Sequence, residues 1–186
     1  DEQTIVGIGE NVFTDKDLIY VQLPTTLQSI GDYAFQANDL TELDIPNSVT
    51  SIGEYAFNAN SIKNITLPGS IEKINEGAFD SNVIDTIDIP SSVKFIGPYA
   101  FQNNNLKQLI IPNSVTYIGN YAFYGNSIDS LILSESLTTI SDYTFKDNVL
   151  TKVVIPNSVT NIGSYAFYGN SIDTVFLPDE LTSIGS

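Results

Sequence analysis

The sequence predicts an α/β repeat solenoid, with a parallel β-sheet along one face and short helical turns and irregular structure on the other. Three observations predict it. Phenylalanine recurs at positions 13, 35, 57, 79, 101, 123, 145 and 167, always 22 residues apart, and a strict period in this range marks a stacked array. Apolar residues occupy the same columns in each unit. Proline and glycine then punctuate the units at fixed places. A unit this short cannot bury its own apolar face, so neighbours must share one long core.

Each unit opens with two aliphatic columns flanking a variable residue: Val21/Leu23, Leu43/Ile45, Ile65/Leu67, Ile87/Ile89, Leu109/Ile111, Leu131/Leu133, Val153/Ile155 and Val175/Leu177. That alternation is a short strand with one face in the core. Proline follows at 24, 46, 68, 90, 112, 156 and 178, with Ser134 the exception, and it ends the strand because it has no N–H to donate. A third apolar column runs from Leu27 to Leu181 and a fourth from Ile30 to Ile184. The next position is Gly31, Gly53, Asn75, Gly97, Gly119, Ser141, Gly163 or Gly185, residue types that serve as helix N-caps. Pro98 after Gly97 suits a first helical position. "GEYAF" and its equivalents therefore read as one short helical turn with Ala and Phe inward. Tyr33, Tyr55, Tyr99, Tyr121, Tyr143 and Tyr165 are expected half-buried on it. Asn38 and its equivalents to Asn170 close each turn, as a buried ladder that satisfies the backbone of the bend. A parallel β-helix is the rival architecture, in which "VTSI" (residues 49–52) and its kin make a second full sheet; the AF turn argues against it.

Residues 1–186 read as a single domain of about eight such units. Residues 1–20 form a degenerate first unit, with Lys16 in place of the closing Asn and Val12 in place of Ala. The chain ends mid-repeat, and the open edge at Val175–Leu177 leads us to expect that the polypeptide continues past Ser186. Residues 114–133 and 158–177 agree at 15 of 20 positions, a trace of growth by copying units.

Composition narrows the functions. The formal charge is −15, carried against seven lysines and no arginine. Such a field repels nucleic acid and anionic lipid. Without histidine or cysteine there is no imidazole or thiolate metal site, no cysteine nucleophile and no histidine-based triad. We expect no cofactor and no metal. No run of 18 apolar residues is present for membrane insertion, and residues 1–20 lack the basic start and apolar centre of a signal peptide.

These columns resemble the BspA-like class of leucine-rich repeats, whose pattern runs LxxLxLPxxLxxIGxxAFxxC/N. Leu40, Leu43, Ile45, Pro46, Val49, Ile52, Gly53, Ala56, Phe57 and Asn60 match it. The likeness covers residues 18–186, with residues 5–18 as half a unit. The 22-residue length departs from the family's more usual 23, and Asn stands where many relatives carry Cys. The resemblance implies a right-handed leucine-rich-repeat coil, about 35–40 Å long at the spacing of β-rungs. It also implies a protein-binding or adhesion module of a secreted or cell-surface bacterial protein, non-catalytic. Signal and anchor would then lie outside this chain.

Two surface features carry chemistry. Asp44 and Asp88 share an outward column two rungs apart, ~9.5 Å, with Glu42 beside Asp44; this is the upper range for an inverting glycosidase. A solvated acidic face accounts for them better, because water on an open sheet leaves no environment to tune a general acid. Calcium at these acids lacks the carbonyl-rich grouping it needs. The same outward column then changes character, running Gln22, Asp44, Thr66, Asp88 and then Ile110, Ile132, Val154, Phe176. The repeat does not require apolar residues there. Tyr124 and Tyr168 add aromatics to that half, expected exposed. We take these six as the candidate partner-binding surface for a protein or cell-surface ligand. Self-association through the stripe or the open C-terminal edge is a second use of it. A rigid spacer carrying other domains is the alternative function, and a carbohydrate-active enzyme a weaker one.

Overall fold

The computed structural model describes residues 4–186. Each 22-residue unit makes one coil, and the coils stack in register, so that Leu43 lies beside Ile65 and Val154 beside Phe176. The front ladder holds three pairs of parallel strands. Glu42–Asp44 pairs with Asn64–Thr66, Gln108–Ile110 with Ser130–Ile132, and Lys152–Val154 with Thr174–Phe176. The strands expected over 21–23 and 87–89 have no ladder partners, yet they keep the pattern, with Leu23 and Ile89 buried at 7% and 5% exposure.

A second, back ladder is also present. Gly7–Ile8, Ser29–Ile30 and Ser51–Ile52 form one sheet; Lys73–Ile74, Phe95–Ile96 and Tyr117–Ile118 the next; Thr139–Ile140, Asn161–Ile162 and Ser183–Ile184 the last. The "VTSI" segments are therefore strands, two residues long, and the array is a parallel β-solenoid. The glycine after each of these strands is set by closeness of the coils. Gly53 N donates to Ile30 O at 2.8 Å, and a Cβ at Gly53 would lie 2.4 Å from the backbone nitrogen of Asp32. In the two units without glycine the side chain takes over this bond: Asn75 Nδ2 donates to Ile52 O and Ser141 Oγ to Ile118 O. The column is thus a coil-to-coil contact, which corrects its reading as an N-cap.

No helix follows. The expected helical turns, including Pro98 at a first helical position, are absent among the described residues. Tyr33, Tyr55, Tyr99, Tyr121, Tyr143 and Tyr165 all adopt left-handed backbone, as does Gly77 in the same column, with φ between 53° and 60°. Four residues on, Ala37, Ala59, Ser81, Asn103, Gly125, Asp147 and Gly169 are left-handed too. Two such residues in one turn break the run of right-handed residues a helix requires. The freed N–H groups bond sideways instead: Tyr33, Phe35 and Ala37 donate to the carbonyls of Glu54, Ala56 and Asn58 in the next coil, at 2.8, 2.8 and 3.0 Å. A substitution checks this geometry. Ala59 is exposed at φ 54°, so Ala59→Gly should leave stability unchanged or raise it by up to about 1 kcal/mol, where Ala→Gly at an ordinary site costs roughly that much. Chemical denaturation reads the difference, and a loss of half a kilocalorie or more would contradict the left-handed turn.

The core is one continuous cluster from Leu23 to Ala166. Its spine is the phenylalanine ladder, stacked nearly parallel with centroids 5.3–5.8 Å apart from Phe13 to Phe167. The asparagine ladder runs beside it. Asn60 Nδ2 donates to Phe35 O and Phe57 O, at 2.9 and 3.2 Å, and its Oδ1 accepts from Leu40 N at 3.2 Å. The tyrosines stack as well, half-buried except Tyr165, and the series is interrupted at Gly77, where a Cβ would collide with the Tyr55 ring. Burial, reinforced by the bond its hydroxyl donates to Glu76 at 2.9 Å, holds Tyr55 well above the ordinary phenol range. The Tyr55 hydroxyl belongs to the scaffold.

Candidate functional site: the outward face of the front ladder

Alternation on the front strands sends Leu109, Leu131 and Val153 inward and their neighbours outward. The outward column contains the four apolar residues singled out from the sequence. Ile110, Ile132, Val154 and Phe176 are 62%, 57%, 54% and 52% exposed. Ile110 faces Ile132 in register, and Val154 faces Phe176. Lys152, two residues before Val154, lays its ammonium 5.2 Å from the Phe176 ring centroid, a cation–π contact at the end of the stripe. The four residues form an apolar row on rigid backbone.

The two tyrosines stand apart from this row. Both lie in the turns rather than on the front strands. Tyr168 is 61% exposed, whereas Tyr124 is half-buried, which corrects its expected exposure. Each packs edge-on against the tyrosine series, on Tyr165 and Tyr121. Lys146 occupies the rung between them, with its ammonium 4.9 Å from the Tyr124 centroid and 5.6 Å from that of Tyr168, and it also pairs with Asp147 at 3.3 Å. The six residues therefore divide into a front stripe of four and a separate corner of two.

A further aromatic pair escaped the sequence reading. Phe95 and Tyr117 stack at 4.7 Å on the back ladder, with Lys73 on the preceding rung 6.0 Å from the Phe95 centroid. The signal was there in one column, Lys73–Phe95–Tyr117, where the other units carry small polar residues such as Ser29, Ser51 and Thr139.

The acidic residues are distributed along the polar half of the front face. Glu42, Asp44 and Asp88 are all exposed. Glu42 and Asp44 border a concavity of about 640 Å³ that Asp88 does not reach, so the structure does not gather the carboxylate pair around one cavity. Among the described residues no cluster of three or more Asp or Glu side chains is placed to hold a metal ion, and no helix is long and apolar enough to cross a membrane.

A family model for the BspA type leucine-rich repeat region, with six copies, matches residues 2–107 and 94–186. The chain belongs to this family. Solved structures share the fold of this BspA-type array. A leucine-rich repeat protein from Bacteroides ovatus is 24% identical, with 97% of this chain and 66% of that one covered and a TM-score of 0.53. The pneumococcal vaccine antigen PcpA is 19% identical, with 96% and 65% covered and a TM-score of 0.53. The leucine-rich repeat protein of T. pallidum is 21% identical, with 100% and 69% covered and a TM-score of 0.56. At these identities the likeness is one of fold. The BspA-type array spans about two thirds of the length of the Bacteroides and pneumococcal proteins. No curated protein sequence matches the chain.

Proposed function

We propose that this array is a protein-binding module of a bacterial surface or secreted protein, non-catalytic and adhesive in role. One observation carries the reading: four apolar side chains, each more than half exposed, stand in one outward column on four successive coils, in two hydrogen-bonded strand pairs. Such a row left in water invites association, and a partner that covers it gains apolar burial. The strands are ordered before binding, which lowers the cost of association. Phe176 is the anchor, since buried aromatics dominate interface energies. The family and the antigen among the structural relatives support a surface setting.

The experiment uses labelled protein on a panel of immobilised extracellular-matrix proteins and on intact host cells. Ile132→Asp and Phe176→Asp should each lower retention about tenfold or more, the effect of losing one hot-spot contact, with circular dichroism unchanged because both side chains point away from the core. Asp88→Asn, in the same column of the polar half but outside the concavity, should retain binding. Retention of both stripe variants at the wild-type level would reduce the array to a rigid spacer. Unfolding of either would refute the outward placement of this column.

A further inference from the structure

We propose a second ligand site on the same face: the concavity over the N-terminal half of the front ladder binds a neutral oligosaccharide. Its volume of about 640 Å³ lies within the ~300–1,000 Å³ typical of small-molecule sites. The walls come mainly from three successive coils and two outward columns, with Thr86 of a fourth coil at one end. Tyr20, Glu42 and Asn64 line one column, and Gln22, Asp44 and Thr66 the other. Glu42 is in register with Asn64 and Asp44 with Thr66, so polar groups recur at about 4.8 Å on rigid backbone.

The chemistry of these six side chains selects the ligand class. Among the described residues, Gln22, Glu42, Asp44, Asn64 and Thr66 make no side-chain hydrogen bond within the protein, whereas Gln36 and Asn58 in the turns bond to each other at 2.9 Å. Among the described residues neither Glu42 nor Asp44 belongs to an ion pair; the lysines that do pair meet Asp85, Glu72 and Asp147. Amides, a hydroxyl and carboxylates together offer both donors and acceptors, which is what a row of sugar hydroxyls requires, since each hydroxyl both donates and accepts. Two carboxylates and no lining cation oppose phosphate, sulfate or carboxylate ligands. A cationic peptide would engage Glu42 and Asp44 but leave Gln22, Asn64 and Thr66 without matched partners. Tyr20, 66% exposed at the rim, supplies an aromatic face whose negative potential suits the C–H face of a pyranose. The site is therefore built for a ligand rich in hydroxyls and free of negative charge.

The test titrates isotopically labelled protein, read by amide NMR shifts, with neutral trisaccharides of glucose, mannose and N-acetylglucosamine. A sialylated trisaccharide and a pentalysine peptide run in parallel. At least one neutral trisaccharide should shift the amides of 42–44 and 64–66, and the sialylated one should bind more weakly. Tyr20→Ala and Asn64→Ala should each weaken that binding about tenfold, with Thr66→Ala as a second variant should either misfold by circular dichroism. Ile132→Asp, on the apolar half, should leave it unchanged, so that this site and the protein-binding stripe fail or succeed separately. The proposal is overturned if no neutral trisaccharide shifts these amides, if the shifts map to another surface, if the sialylated sugar binds as well as the neutral ones, or if pentalysine alone binds.

Discussion

Phe101→Ala should lower the stability of the array by about 3–5 kcal/mol, the usual cost of emptying a phenylalanine site in a packed core. The ring is fully buried and lies between two others, 5.5 Å from Phe79 and 5.6 Å from Phe123. Deleting it leaves a cavity open to both neighbours, and no side chain from elsewhere in the coil can fill it, because each coil contributes one ring to the spine. In a chain of this size such a loss corresponds to a fall of roughly 6–20 °C in the melting temperature. The damage should also be local. A solenoid is held by contacts between adjacent coils, so amide exchange should quicken at residues around Phe79 and Phe123 before it does at Phe35. A melting temperature within a degree or two of wild type would mean that the ring does not fill the core.

The spine and the closing asparagines could be read in the sequence because they are columns, eight phenylalanines and seven asparagines long, and a repeated column reports one environment many times. The turn could not be read this way. Tyr and Ala have no special taste for left-handed backbone, and "GEYAF" offers good helix residues, so its local preference points to a helix. What decides the conformation is bonding between coils, which the N–H groups of Tyr33, Phe35 and Ala37 find in the next unit. The trace of it in the sequence is thin: Gly77 in the tyrosine column, and Gly125, Gly169, Asn103 and Asp147 in the column four residues later, all residue types that tolerate positive φ. The back ladder corresponds to the rival reading of "VTSI" as a second sheet, which the AF turn argued against; its strands are two residues long, too short to display the alternation that would have favoured it. The exposure of the apolar stripe followed from periodicity alone. The partial burial of Tyr124 did not, because its ring packs edge-on against Tyr121 and meets Lys146 one whole coil away. The polar groove lies deeper still, since Gln22, Asn64 and Thr66 are unremarkable residues until the register sets them side by side around one hollow.

Asn104 gives the second large effect, and its sign with pH is a sharper check than its size. The side chain is buried at 4% exposure. Nδ2 donates to Phe79 O at 2.9 Å and Gln102 O at 3.1 Å, while Oδ1 accepts from Ile84 N at 3.0 Å. Asn104→Leu keeps the branched shape and removes every one of these bonds: it leaves the Ile84 N–H unpaired, at about 1–3 kcal/mol, and takes one donor from each carbonyl, at about 0.5–1.5 kcal/mol each, because Asn82 Nδ2 still donates to Phe79 O and Ser81 N to Gln102 O. A loss of about 2–4 kcal/mol is expected, since the added apolar contact offsets part of that cost. Asn104→Asp separates the two halves of the amide's work. A carboxylate still accepts from Ile84 N, but it has no hydrogen to donate, and its charge would face the oxygens of Phe79 and Gln102. The protonated acid recovers one donor. The folded state therefore binds the proton more tightly than the unfolded chain, where an aspartate titrates near ~3.9. With the folded pKa raised, the variant is least destabilised below that value and loses stability relative to wild type as pH climbs above it. Denaturation of both proteins at pH 3.5 and pH 7 measures the difference directly. A gap between Asn104→Asp and wild type that stays constant with pH, or that narrows as pH rises, would show that Nδ2 does not hold the bend together.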